Sequence, residues 1–277
     1  MMMEKVSFTN NAGQQLDGRL ELPLGEPRAY ALFAHCFTCS KQSKAATVIS
    51  RGLAARGFGV LRFDFTGLGG SEGEFASTNF SSNVDDLIAA ADFLRERDRG
   101  PALLVGHSLG GAAVLAAGPR IEECKAICTI AAPADPAHLK HLLADSLDEV
   151  KKNGQGEISI GGQTFTITQQ FLDDLESFGD EIHLMGRGLL ILHSPADDVV
   201  AIENAENIYR KVKGFKSFVT LAEADHLLSS RFDAEYAADL IAAWSARYLP
   251  EEKPPKSHLE GVVTVEEIEP PFTTRVI

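Results

Sequence analysis

The chain has no long hydrophobic run. No segment offers about 18 uncharged apolar residues, the least a membrane-spanning helix needs, and the opening Met1-Met2-Met3-Glu4-Lys5-Val6 carries no apolar stretch of the kind a secretory leader requires. Neither a membrane span nor a signal peptide is expected. Basic charge is also short: 26 Lys and Arg stand against 39 Asp and Glu, a net charge of −13. Phosphate backbones and anionic lipid need a basic surface, so nucleic acid and membrane are not expected partners. Cysteine is scarce, and Cys36, Cys39, Cys124 and Cys128 form no secreted disulfide framework. These absences make the cytoplasm the expected compartment. What remains is 277 residues, 44% of them hydrophobic, enough for a sizeable core in one large α/β domain with a small insertion.

Residues 4–9 and 14–22 read as a strand pair around Asn10-Asn11-Ala12-Gly13, a hairpin composition. The continuous apolar run at 29–34 suits a strand buried on both faces, and 59–65, the apolar run 102–105, 125–131 and 188–193 read as further core strands. Helical stretches at 42–57 and 82–98 separate the first of them; Ser40 is the expected cap of the former. Parallel strands need crossovers, so the repeat implies a mostly parallel, doubly wound sheet with helices on both faces. Ligands of such sheets bind at the carboxyl ends of the strands. The pattern stops at 133–187, where helical periods at 136–152 and 168–178 flank a hairpin signal around Gly161-Gly162. Placed after a sheet strand, this insertion is expected to serve as a lid. Helices at 199–212 and 231–249 flank a last strand at 217–221. The expected core is thus 1–132 with 188–249. Residues 250–260 read as a linker and 261–277 as an extended tail that could join copies of the chain.

The chain is organised around Gly106-His107-Ser108-Leu109-Gly110, between the apolar run 102–105 and a Gly/Ala-rich stretch that reads as a helix. A serine on a sharp strand-to-helix turn lifts its hydroxyl above the sheet edge; its strained backbone tolerates only glycine close by. The following helix aims its N-terminus at the site, so the amide of Leu109 can face a developing oxyanion.

Serine needs a base, and the base needs an orienting acid, in the chain order Ser, Asp or Glu, His. Two carboxylates, Asp197 and Asp198, follow the strand at 188–193. Asp197 is favoured because its spacing places Val200 at the start of the next helix, leaving Asp198 as a helix cap. His226 opens the loop after the last strand. His35 and His107 precede the acid, His138, His141 and His183 fall in the insertion, His193 in a strand and His258 in the tail. The loop after 29–34 should supply the second oxyanion donor, with the amide of Phe37 as candidate. No metal and no cofactor are required.

Cys36-Phe37-Thr38-Cys39 can be read as a redox pair or as half of a zinc site completed by Cys124 and Cys128, but the favoured reading is small side chains filling the oxyanion loop. A four-thiolate site is disfavoured because Cys128 falls inside an expected strand.

Gly106–Gly110 with Asp197 and His226 resembles the α/β-hydrolase superfamily over roughly residues 4–249. Asp64-x-x-Gly67-x-Gly69-x-Ser71 matches a turn of its esterases and peptidases, whereas His35-Cys36-Phe37 departs from the usual His-Gly-x. Phe33–Lys41, Phe63–Gly69 and Thr78–Asn83 resemble the hydrolase half of bifunctional α/β-hydrolase/OsmC proteins, and Gly261–Ile277 looks like the opening strands of an OsmC-type peroxidase domain missing from this chain. The resemblance implies an α/β-hydrolase fold with an N-terminal antiparallel hairpin and a small lid. Together with the residues above, the expected activity is that of a Ser108–His226–Asp197 esterase acting on short-to-medium acyl esters. A thioesterase, an aminopeptidase-like amidase, or a quiet module recruiting substrate to the peroxidase are the rivals; dehalogenase and epoxide hydrolase chemistry would want an aspartate at position 108.

Overall fold

A computed structural model describes residues 1–138, 143–160, 163–177, 184 and 186–249. The expected linker and tail, Gly161-Gly162, His141, His183 and His258 lie outside the described residues. Strand β1 (Met2–Thr9) turns back on β2 (Gln15–Leu22), with Thr9 opposite Gln15. Asn10 makes the turn: its side-chain oxygen accepts the amides of Ala12 and Gln14, both at 3.0 Å. Next in the chain come β3 (Ala29–Ala34), β4 (Phe58–Phe63), β5 (Pro101–His107) and β6 (Ala126–Ile130). A separate hairpin, β7 (Gln155–Ile160) with β8 (Gln163–Thr168), precedes β9 (Gly188–His193) and β10 (Lys216–Thr220).

Among the described residues the main sheet has eight strands in the order β1-β2-β4-β3-β5-β6-β9-β10. The first hairpin joins antiparallel to β4, and the remaining pairs are parallel. Every residue of β4, β5, β6 and β9 is buried, which is why these strands read as mostly apolar rather than alternating.

Helices cover both faces. On one, α1 (Lys44–Ala55) and α7 (Arg231–Ser245) pack together through Ile49, Leu53, Ala238 and Ile241. On the other lie α2 (Phe80–Arg95), α3 (Leu109–Ala117) and α6 (Glu203–Lys211), centred on Leu87, Leu94, Val114 and Ile208. Each of these aliphatic side chains contributes about 2 kcal/mol by leaving water. Between β6 and β9, helices α4 (Ala144–Asn153) and α5 (Gln169–Ser177) flank the β7–β8 hairpin. Val150, Ile158, Ile167, Phe171 and Leu175 join this second core, so the insertion lies on the α2–α3 side of the sheet.

Three expectations need correction. The cap of α1 is Ser43, whose hydroxyl accepts the amide of Ala46, while Ser40 accepts the amide of Gln42 ahead of the helix. The helix expected at 199–212 starts only at Glu203, because the Asp197 carboxylate holds the amides of Val199 and Val200 in a non-helical turn; Ile202, not Asp198, is its cap. The helix expected from 136 begins as a single short turn over Pro136–His138, and α4 starts at Ala144.

Candidate active site

The elbow between β5 and α3 carries Ser108 at φ 54°, ψ −126°, outside the regions a side chain prefers. The glycines around it make this possible. A Cβ on Gly106 would stand 2.2 Å from the carbonyl oxygen of Gly110, and one on Gly110 would stand 2.4 Å from that of His35. The Ser108 amide donates to Ile130 of β6 at 2.8 Å, pinning the elbow to the sheet.

Two loops at the same sheet edge meet it. Ser108 donates its hydroxyl proton to Nε2 of His226 at 3.0 Å. Nδ1 of His226 donates to Asp197, 2.8 Å from Oδ2 and 3.0 Å from Oδ1. Asp197 also accepts the amides of Val199 and Val200 at 2.9 and 2.8 Å. Burial alone would raise the Asp197 carboxyl, but the hydrogen bonds from His226 and these amides outweigh it and hold the group below the usual carboxylate range. Asp198 is exposed. The structure therefore brings Ser108, His226 and Asp197 together and leaves Asp198 outside.

Beside Ser108 run two further segments. Leu109 is the first residue of α3, where an amide has no acceptor within its own helix. Across from it, Cys36 to Cys39 form a turn: the Cys39 amide donates to the Cys36 carbonyl at 3.1 Å, and Thr38 has φ 59°. A positive φ at the third position marks a type II turn, whose closing bond does not consume the amide of its second residue, Phe37. Cys36 and Cys39 are joined as a disulfide, whereas Cys124 and Cys128 are free, buried thiols. The pairing is an outcome that the loop-filling reading of these cysteines did not include. Among the described residues no cluster suited to a metal ion occurs.

Composition gave little warning of the groups that hold this machinery. His107 donates from Nε2 to the backbone carbonyl of His226 at 2.7 Å, and burial pushes its ring down to about 4. His193 donates from Nε2 to the Val200 carbonyl at 2.7 Å and lies 3.6 Å from the Asp197 carboxylate. His35 donates from Nδ1 to the Cys36 carbonyl at 2.8 Å. Carbonyls only accept, so each contact fixes a tautomer. Lys41, 1% exposed, places its ammonium on Asp64 and, at 2.9 Å, on Asp17, and its amide on Asp64 at 2.6 Å. Asp64 also accepts the Gly70 amide at 2.8 Å, and its carbonyl takes the Ser71 hydroxyl at 2.5 Å, which is what the Asp64-to-Ser71 motif does structurally. A buried charge survives only when paired. The one legible signal was a polar residue closing an all-apolar strand, as His193 closes β9.

A cleft next to Leu109 and Phe37 is lined by Phe65, Leu68, Phe75 and Ala113 and encloses about 10 Å³, roughly one water. Phe37 stacks on Phe75 and on Phe171 of α5, with ring centres 5.7 and 5.6 Å apart, and Phe165 of β8 lies 5.0 Å from Phe75.

Known proteins resemble this chain in sequence and fold. An esterase domain of a Rhodothermus marinus protein has a solved structure that is 47% identical, covers 90% of this chain and 99% of that one, and superposes with a TM-score of 0.73. The chain belongs to the α/β-hydrolase superfamily. A family model described as serine aminopeptidase, S33, matches residues 25–144 of this hydrolase. The protein YfhR of Salmonella typhimurium is 29% identical over 240 residues, 84% of this chain and 77% of that protein. A rat mitochondrial palmitoyl-protein thioesterase, ABHD10, is 32% identical over 105 residues, 38% of this chain and 34% of that protein. No described helix of the hydrolase is long and apolar enough to cross a membrane.

Proposed function

We propose that the protein is a serine carboxylic-ester hydrolase working through an acyl-enzyme on short-to-medium acyl esters. The observation that carries this reading is the unbroken relay from Ser108 through His226 to Asp197. Ser108 attacks the ester carbon as His226 takes its proton. Asp197 holds the imidazole in the tautomer that leaves Nε2 free to accept, and stabilises the imidazolium that forms. The amides of Leu109 and Phe37 receive the tetrahedral oxyanion. His226 then protonates the leaving alcohol, and water repeats the cycle on the acyl-serine.

The insertion at 133–187 is the proposed lid, its Phe165 and Phe171 packing over Phe75 and Phe37, which line the narrow cleft beside the proposed oxyanion hole. Cleavage next to a substrate amine would favour a carboxylate in the pocket, and the residues lining the cleft include none. That weighs against an aminopeptidase. A thioesterase is the second reading, favoured by the segment of similarity to ABHD10; the same relay would serve it. Hydrolysis of p-nitrophenyl esters from acetyl to palmitoyl, beside acyl-thioesters of matched length, tests the choice. Turnover is expected to be fastest on short oxygen esters. Faster turnover of long thioesters would replace the proposal with the second reading.

A further inference from the structure

We propose that the Cys36–Cys39 disulfide is a thiol–disulfide exchange site for a dithiol reductant, and that its redox state sets the efficiency of the oxyanion hole. The proposal rests on the ester-hydrolase reading, with the amide of Phe37 as an oxyanion donor.

The bond ties the two ends of one turn, Cα to Cα 5.3 Å, and Phe37 is the second residue of that turn. Closing so short a loop removes little entropy from the unfolded chain. What the bond supplies is local geometry, at the segment that carries the proposed donor. The flanks of the turn are fixed by other means. His35 holds the Cys36 carbonyl, and Lys41 holds Asp64 through both its amide and its ammonium. Breaking the disulfide therefore removes the covalent tie across Phe37, Thr38 and Cys39 and leaves only the closing hydrogen bond of the turn and the stacking of Phe37 on Phe75 and Phe171, while the flanks stay in place.

Access is graded across the pair. Cys36 is 4% exposed and Cys39 is half-buried, so Cys39 Sγ is the sulfur a reductant reaches. The other two thiols do not compete. Both are buried, and burial pushes Cys124 up to about 12 and Cys128 well above the ordinary thiol range, which leaves them without thiolate character.

The chemistry balances with a dithiol as co-reactant. One thiolate of the reductant attacks Cys39 Sγ, the S–S bond breaks, and Cys36 leaves as a thiolate that takes up a proton. The second reductant thiolate attacks the reductant's own sulfur in the mixed disulfide and releases Cys39, which is protonated in turn. Two electrons and two protons pass to the pair, and the reductant becomes a disulfide. In a reducing compartment disulfides are typically transient and sensing rather than structural, and a bond that stabilises little while positioning a proposed oxyanion donor would fit that use.

The test compares the full chain before and after treatment with dithiothreitol. Alkylation under denaturing conditions, read by intact mass, counts the thiols: two before reduction and four after are expected. On p-nitrophenyl acetate, reduction should lower kcat about tenfold and leave KM within about twofold, since a donor loosened rather than removed loses part of the 10²–10³-fold such a donor supplies. Reoxidation should restore kcat. The rate at which a fluorophosphonate labels Ser108 should fall by the same factor, because phosphonylation uses the same hole. Cys39→Ser should hold the reduced-state kcat and ignore the dithiol. Equal kcat and labelling rate in the two counted forms would overturn the proposal, as would a dithiol effect that persists in Cys39→Ser. No ester turnover in either form would instead refute the ester-hydrolase reading, and the labelling rates would then decide the redox proposal alone.

Discussion

The two walls of the proposed oxyanion hole are built on opposite principles. The Leu109 wall is held by the absence of side chains: Gly106 and Gly110 let backbone meet backbone, and Ser108 is pinned to β6 by its own amide. The Phe37 wall is held by side chains, namely a disulfide, the His35 ring and the buried ammonium of Lys41. A wall made by close backbone approach has one workable geometry, and disturbing it disturbs the sheet. A wall made of side-chain ties can be loosened in steps. The proposed nucleophile thus sits on the rigid side and the proposed adjustable donor on the other.

The comparison is most sharply broken at Gly110. Gly110→Ala drives a Cβ to within 2.4 Å of the His35 carbonyl, and neither backbone can yield cheaply. A loss of at least about 4 kcal/mol is expected, near 10 °C or more in Tm; an unchanged melting curve would mean that the close approach is not limiting. On the other wall, Lys41→Met leaves Asp64 a buried, unpaired carboxylate. That should cost about 3–5 kcal/mol, and restoring most of it with Asp64→Asn in the same chain would identify the pair as the cause.

Smaller changes separate donor from scaffold. Phe37→Pro deletes the amide while suiting the second position of a type II turn. It should lower kcat by about 10²–10³-fold relative to Phe37→Ala, with melting temperatures close to each other. Equal kcat in the two variants would remove Phe37 as a donor. The least dramatic effect is on acid stability. His107, buried and depressed to about 4, stays neutral in the native chain while the unfolded chain takes up a proton near 6.5. Stability attributable to it is complete above pH 6.5 and drains away as pH falls towards 4, about 3 kcal/mol in all. His35 and His193, also lowered by burial, steepen the same slope. Urea midpoints measured from pH 7.5 to 4 should fall through that window in the parent chain, and less steeply in His107→Gln.

Much of this was legible beforehand because it is written in short-range patterns. The runs at 29–34 and 188–193 became β3 and β9 residue for residue, since strands buried on both faces leave no room for polar interruption. The elbow was legible for the same reason: steric demand admits only glycine at fixed spacing. Loop geometry was less so. The late start of α6 depends on the Asp197 carboxylate capturing two amides, and Ser43 displaced Ser40 as a cap because the turn at Ser40 closes first, with the Ser43 amide on the Ser40 carbonyl. The ties from Lys41 to Asp64 and Asp17, and from His107 to His226, span 23 to 119 residues; no local period encodes such pairings. The cysteines read first as loop-filling side chains, and only the fold shows Cys36 and Cys39 joined across one turn.

One measurement bears most directly on the central claim, that Ser108 forms an acyl-enzyme in this hole. The protein is mixed with p-nitrophenyl acetate, quenched in acid within the first turnover, and mapped by peptide mass, with Ser108→Ala alongside. The account predicts a burst of p-nitrophenol and one acetyl group on the peptide bearing Ser108, both absent from the variant. Turnover by Ser108→Ala at the parental rate, or an acetyl group carried by another residue, would contradict it.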